Sequence, residues 1–151
     1  MPEKYLHRRI NLFSTILSDE MALYIKTRRF HCNMPSESFI ELHKLFQSQY
    51  TNFAETIDSV TERIDKFTGK TIGTMREFTH LPRLKNSPNK YLSQKEMIKE
   101  LLGDHEWMIK QFGKDVEECE GENKDGDVKD FLTGVVQKHK TTALIFRRYL
   151  K

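Results

Sequence analysis

The sequence predicts an all-α chain: four long helices, with a long crossover between the second and third that carries a short extra helix. Three observations support this. Apolar residues recur at three- and four-residue spacing along most of the chain, the period of a helix with one buried face. With 7 Gly and 4 Pro among 151 residues, the turn-forming composition of an all-β fold is missing. Charged residues make up 31% of the chain, as expected when each helix keeps one face in water. A chain of this length supports one sizeable core, so residues 1–151 are expected to form a single domain.

The first helix is expected from about Lys4 to Cys32, with Leu6, Ile10, Phe13, Leu17, Met21 and Tyr24 along one stripe. Pro35 breaks it, and Ser36 is a good cap for the second helix. That helix covers about Glu37 to Phe67. Its stripe is Phe39, Leu42, Phe46, Phe53, Ile57, Val60 and Ile64, and Gly69 stops it. Residues 68–91 are irregular, holding Pro82, Pro88 and a short helix near Met75–Leu81. A connection of that length crosses a bundle or serves a function. Ser93 and Glu96 have capping-box spacing, so the third long helix opens there, with Met97, Leu101, Leu102, Met108, Phe112 and Val116 as its stripe. An acidic break over Glu117–Asp130 leads to a fourth helix from about Val128 to Leu150, carrying Phe131, Leu132, Val135, Phe146 and Tyr149. Two helices, a long crossover and two more helices is the connectivity of ferritin-like bundles.

Several classes are excluded by composition. No apolar run approaches the roughly eighteen residues of a membrane span. The opening Met1-Pro2-Glu3-Lys4-Tyr5 lacks a signal-peptide core, and two cysteines make no disulfide framework. The expected setting is therefore the cytoplasm. The net charge of +3 is mild and its basic residues are scattered, which does not by itself predict nucleic-acid binding.

The stretch from Phe30 to Arg63 carries the most chemistry. His31 and His43 flank the first helix break, while Asp58 and Glu62, four apart, are neighbours on one helical face, as are His43 and Gln47. At about 100° per residue, positions 43, 47, 58 and 62 share one strip beside the apolar stripe. They cannot share one metal within a chain, because His43 and Asp58 are roughly 22 Å apart along the axis. The spacing is nevertheless symmetric about a point between Asn52 and Phe53. A second copy packed antiparallel across a two-fold axis there sets His43 and Gln47 opposite the partner's Asp58 and Glu62. Ala54, near the crossing, allows close approach. The spacing thus predicts an intersubunit metal site. Plainer roles stay open for each residue taken singly: Asp58 and Glu62 as surface acids, Glu62 pairing with Lys66, His31 as a core histidine, His43 as a surface polar group.

The run Tyr24-Ile25-Lys26-Thr27-Arg28-Arg29-Phe30-His31-Cys32-Asn33-Met34, then Phe39 to Phe46, Tyr50 and Asp58-Ser59-Val60-Thr61-Glu62-Arg63-Ile64, resembles the signature of Dps-type miniferritins. Weaker similarity runs through Met75 to Phe78 and Asp104 to Glu106, and resumes over Asp125 to Leu150. The resemblance implies a hollow shell of twelve subunits with ferroxidase centres at two-fold interfaces. His31 and His43 would come from one subunit, with Asp58 and Glu62 from its neighbour. The substrate and cargo implied is iron, Fe(II) oxidised with hydrogen peroxide and stored as ferric mineral, protecting the cell from oxidative damage. The chain departs from the family at Gln47, where a carboxylate is usual. It departs again at Cys32 and near Leu144, where tryptophans that take up oxidising equivalents are usual. An amide oxygen carries no charge and hard cations favour charged oxygens, so a shell with a degenerate centre is the alternative. Cys32 reads either as a redox-active stand-in or, more simply, as a small space-filling residue.

The acids before the last helix match a segment that lines three-fold pores in this family, with Asp125 and Asp130 as the matching positions. They serve equally as a solvated loop favouring a helix N-terminus. Glu77 and His80 have the Glu-x-x-His spacing of larger di-iron ferritins, but one copy in a crossover is best read as chance. His105 falls on the core stripe of the third long helix and is expected to be buried and hydrogen-bonded; His7 and His139 are expected at the surface. Some family members bind DNA through a lysine-rich tail. Here only Lys4, Arg8 and Arg9 lie near the start, so DNA binding is expected to be weak or absent.

Overall fold

A computed structural model of the chain describes residues 3–34, 39–67, 69–85, 91–121 and 126–151, with the side chains of 39, 120 and 121 outside the description. The helices are α1 Glu3–Cys32, α2 Phe39–Lys66, α3 Met75–His80, α4 Gln94–Gly121 and α5 Gly126–Leu150. The expected all-α order, with a short helix between the second and third long ones, is what forms. The helices fall into two compact units, Met1–Asn89 and Lys90–Lys151.

In the first unit α1 and α2 run antiparallel: His31 meets His43, Tyr24 meets Tyr50, and Phe13 meets Phe67 edge-on at 5.4 Å. The buried face of α2 is Leu42, Phe46, Gln49, Phe53, Thr56, Val60 and Ile64, alternating steps of four and three until its last turn. Ile57 is half-buried, and Thr56 takes the inward position beside it. On α1 the buried face differs from the expected stripe. Phe13 and Leu17 are buried as expected, but Leu6, Ile10, Met21 and Tyr24 are half-buried. The core side is instead Tyr5, Arg9, Phe13, Ile16, Leu23, Thr27 and Phe30. A strict seven-residue reading drifts by about 20° per heptad against a straight helix, so over 30 residues it slides onto the flank. That flank carries Tyr24 and His31.

The crossover is pinned to α1 by buried polar groups. Asp19 Oδ1 accepts from the backbone N–H groups of Arg83 (2.6 Å) and Leu84 (3.1 Å), and Oδ2 pairs with the Arg83 guanidinium at 2.9 Å. Lys26 Nζ donates to the Lys85 carbonyl at 3.3 Å. Gly69 fits because it has no side chain: a Cβ there would sit 2.9 Å from Ile10 Cδ1. Helix α3 is fixed by a capping box. Thr74 Oγ1 accepts from the Glu77 N–H at 3.1 Å, and Glu77 Oε1 accepts from the Thr74 N–H at 3.0 Å.

The second unit is the antiparallel pair α4 and α5, where His105 faces Phe146 and Phe112 faces His139. Ser93 and Glu96 form the expected capping pair, with Ser93 N–H to Glu96 Oε1 at 3.0 Å and Glu96 N–H to Ser93 Oγ at 3.2 Å. The expected break over Glu117–Asp130 is corrected: α4 runs on through Glu117 and Glu118 to Gly121, and α5 already opens at Gly126. Glutamate is a good helix former, and acids at the start of α5 oppose its positive end, so carboxylates alone do not mark a loop. On α5 Leu132, Val135 and Phe146 are buried as expected, whereas Phe131 is half-buried and Tyr149 exposed.

Candidate metal centre

His31 sits in the last turn of α1 and His43 early in α2. The antiparallel pairing stacks their imidazoles with centroids 3.7 Å apart and planes tilted by 32°. The Tyr50 ring meets His31 edge-on at 5.2 Å. His31 is half-buried, and its Nε2 is sealed from solvent with no hydrogen-bond partner among the described residues. Burial is the main cause that lowers the proton affinity of His31, and the neighbouring His43 and Arg28 charges push the same way. A neutral imidazole with an unbonded ring nitrogen is in the state a metal requires.

The carboxylates do not join this pair within one chain. Asp58 and Glu62 are exposed on α2, one turn apart. Glu62 makes no ion pair with Lys66 among the described residues, which removes one plain role. Gln47 is exposed on the same face as His43. Among the described residues no three His, Cys, Asp or Glu side chains group around a point that could hold a metal. One chain therefore brings together His31 and His43 and leaves Asp58 and Glu62 elsewhere along the helix.

Other sequence candidates sort out by what they touch. Glu77 is engaged in the α3 cap, where the Thr74 and Gly73 hydrogen bonds hold its carboxyl below the usual range; His80 is exposed. The cap explains that Glu-x-x-His spacing without a metal. Asp130 is exposed in the second turn of α5, and Asp125 lies outside the described residues. Cys32 is exposed, which corrects the space-filling expectation within one chain, because it sits on the outward side of the turn of α1 that buries Phe30; Cys119 is the buried thiol. His105 is buried and bonded as expected, but His139 is buried too, a correction, since the two rings meet Nδ1 to Nδ1 at 2.8 Å.

Beside the histidines lies a group with no role evident in the sequence alone. Arg28 Nη1 donates to the Tyr24 hydroxyl at 3.1 Å, and its guanidinium lies 4.8 Å from the Tyr50 ring centroid. The signal was present in the Tyr24, Arg28, His31 spacing, which lines one flank of a helix.

The chain is similar to known proteins over most of its length. The family described as Ferritin-like domain matches residues 10–151. An uncharacterised low temperature-induced protein from Nostoc sp. is 32% identical over 94% of this chain and 79% of its own length. A DNA protection during starvation protein from Bacillus anthracis is 26% identical over 93% of this chain and 95% of its own. Dps from Thermosynechococcus elongatus superposes with a TM-score of 0.88 at 21% identity, covering 96% of this chain and 91% of its own; that likeness shows the fold, the ferritin-like four-helix bundle. With the signature residues around His31 and Asp58 in place, the chain belongs to the Dps-type branch of the ferritin-like family.

Proposed function

We propose that this chain builds a Dps-like shell that takes up Fe(II) at centres shared between two copies. The observation that carries the reading is the stacked His31–His43 pair, with the sealed and unbonded Nε2 of His31. Two neutral imidazoles bind a divalent cation weakly without charge beside them. Asp58 and Glu62 of a second copy supply that charge, and their exposure suits the role. Iron is the substrate and cargo. The protein holds it, and peroxide or oxygen accepts the electrons. The shell is a homo-oligomer, a dodecamer with centres on its two-fold axes, each subunit one domain over residues 1–151. Its cavity stores the ferric product, and Asp125 and Asp130 line pores through which iron passes. It works in the cytoplasm, where ferrous iron and reduced thiols coexist and where removing iron and peroxide together limits oxidative damage.

A second reading is favoured by two observations: a shell of the same fold with a degenerate centre, acting in binding or as structure. Gln47 stands where a carboxylate is usual, and the described residues of one chain gather no three-ligand group. Taken on the single chain, these findings support the second reading better than a fully active ferroxidase. The experiment is anaerobic Fe(II) addition to metal-free protein, then hydrogen peroxide, with oxidation followed optically against a protein-free control. Rapid oxidation that vanishes in a His31→Ala, Asp58→Ala variant supports the ferroxidase; a trace matching the control leaves the shell as a binding or structural protein.

A further inference from the structure

Beside the candidate centre lies a cation that the chain supplies itself. The pairs His31–His43 and Arg28–Tyr50 bracket Gln47, which is one turn from both His43 and Tyr50 on the same face of α2. Because α1 and α2 are antiparallel, Arg28 is level with the stretch of α2 that holds Gln47. Its guanidinium is held in place by the hydrogen bond to the Tyr24 hydroxyl at 3.1 Å and by its position over the Tyr50 ring. The Tyr24 and Tyr50 rings support each other edge-on, with centroids 6.0 Å apart.

Resting on the proposed two-chain centre, we propose that Arg28 is a resident cation standing in for a second metal, so that each centre takes one divalent cation instead of a pair. The charge count leads there. His31 and His43 are neutral donors and Gln47 is neutral, so the fixed negative charge of a centre is Asp58 and Glu62 of the second copy. Those two charges balance one divalent cation. A second would enter on the side of the Arg28 guanidinium with only neutral donors left to hold it, and like charges repel. Gln47 and Arg28 are thus two halves of one change: a negative ligand is lost and a positive neighbour is present.

The test is equilibrium dialysis of the assembled protein against Zn²⁺, which does not change oxidation state. Each protein is compared with the same protein carrying His31→Ala, which subtracts zinc held elsewhere. The wild type is expected to bind one His31-dependent Zn²⁺ per chain, and Arg28→Gln with Gln47→Asp to bind two. Arg28→Gln alone tightens the first site about tenfold, and Arg28→Lys, which keeps the charge, stays close to the wild type. Two Zn²⁺ per wild-type chain, one per doubly substituted chain, or identical behaviour of the Lys and Gln variants overturns the role of Arg28 while leaving the centre standing. No His31-dependent Zn²⁺ in any of these proteins overturns the two-chain centre and the role of Arg28 with it.

Discussion

His105 Nδ1 lies 2.8 Å from His139 Nδ1, in a contact between α4 and α5 that solvent does not reach. Only one of the two nitrogens carries the shared proton, so one ring donates and the other accepts. Phe112 packs against His139 and Phe146 against His105, each with centroids 5.8 Å apart. Burial holds the proton affinity of His105 well below its ordinary value, and a charge on His139 lowers it further. The unfolded chain titrates near 6.5 and the folded one lower. Between those values the unfolded state binds more protons, so stability is full above about pH 6.5 and falls as pH drops, by up to about 1.4 kcal/mol per pH unit for this group. Urea midpoints at mildly acidic and neutral pH should therefore separate more in the wild type than in His105→Leu, His139→Leu. Equal separations would count against this account.

Asp19 ties the crossover to α1 through two backbone N–H groups and one guanidinium. Its carboxylate is fully buried, and desolvation raises its proton affinity despite the Arg83 charge. Asp19→Ala strips an anchor and leaves Arg83 without its buried partner, at a cost of about 3–5 kcal/mol. Asp19→Asn keeps an acceptor for the two N–H groups and should lose less. Denaturant unfolding of the three proteins gives the order, and an Asn variant as weak as the Ala variant would place the stabilisation in the ion pair alone.

The helices and their order were legible because apolar period and capping pairs such as Ser93 with Glu96 act locally. The half of the site that depends on α1 meeting α2 was legible in His31 and His43, but not in Arg28 and Tyr50. Side chains on a helix flank are neither core nor plain surface, and only the register of the two helices decides what they touch. His139 was misplaced because a polar residue in an amphipathic pattern reads as outward until its buried partner is known. The acidic stretch misled for a different reason: Glu117 and Glu118 suit a helix as well as a loop. Asp58 and Glu62 stand out through the symmetry of their spacing and the family resemblance; the proposed sharing of a metal site between copies would leave no grouped ligands within one chain.

DNA binding should be weak. Of the three basic residues nearest the start of α1, Arg9 is withdrawn: it is 2% exposed and stacks 4.7 Å over the Tyr5 ring. Lys4 and Arg8 are exposed on the helix. A few phosphate contacts per subunit give a shallow salt dependence, since each contact contributes roughly one unit to the log–log slope. Filter binding at low and moderate salt measures it, and a tight complex with a steep slope would contradict the expectation.

Sharing of the centre between copies makes a prediction that no single-chain site can match. In the proposed two-fold pair, His31 and His43 of one chain work with Asp58 and Glu62 of the other. A shell built only from His31→Ala chains has no intact centre, and neither has one built only from Asp58→Ala chains. In a mixed pair the Asp58→Ala chain brings its histidines and the His31→Ala chain its carboxylates, so one of the two centres is whole. Random assembly of equal amounts makes half of the pairs mixed, and about a quarter of all centres intact. Unfolding the two variants together and reassembling them should restore about a quarter of the wild type's metal binding. Reassembling either alone should restore none. If the mixture stays as empty as its components, His31 and Asp58 do not meet across a two-fold axis.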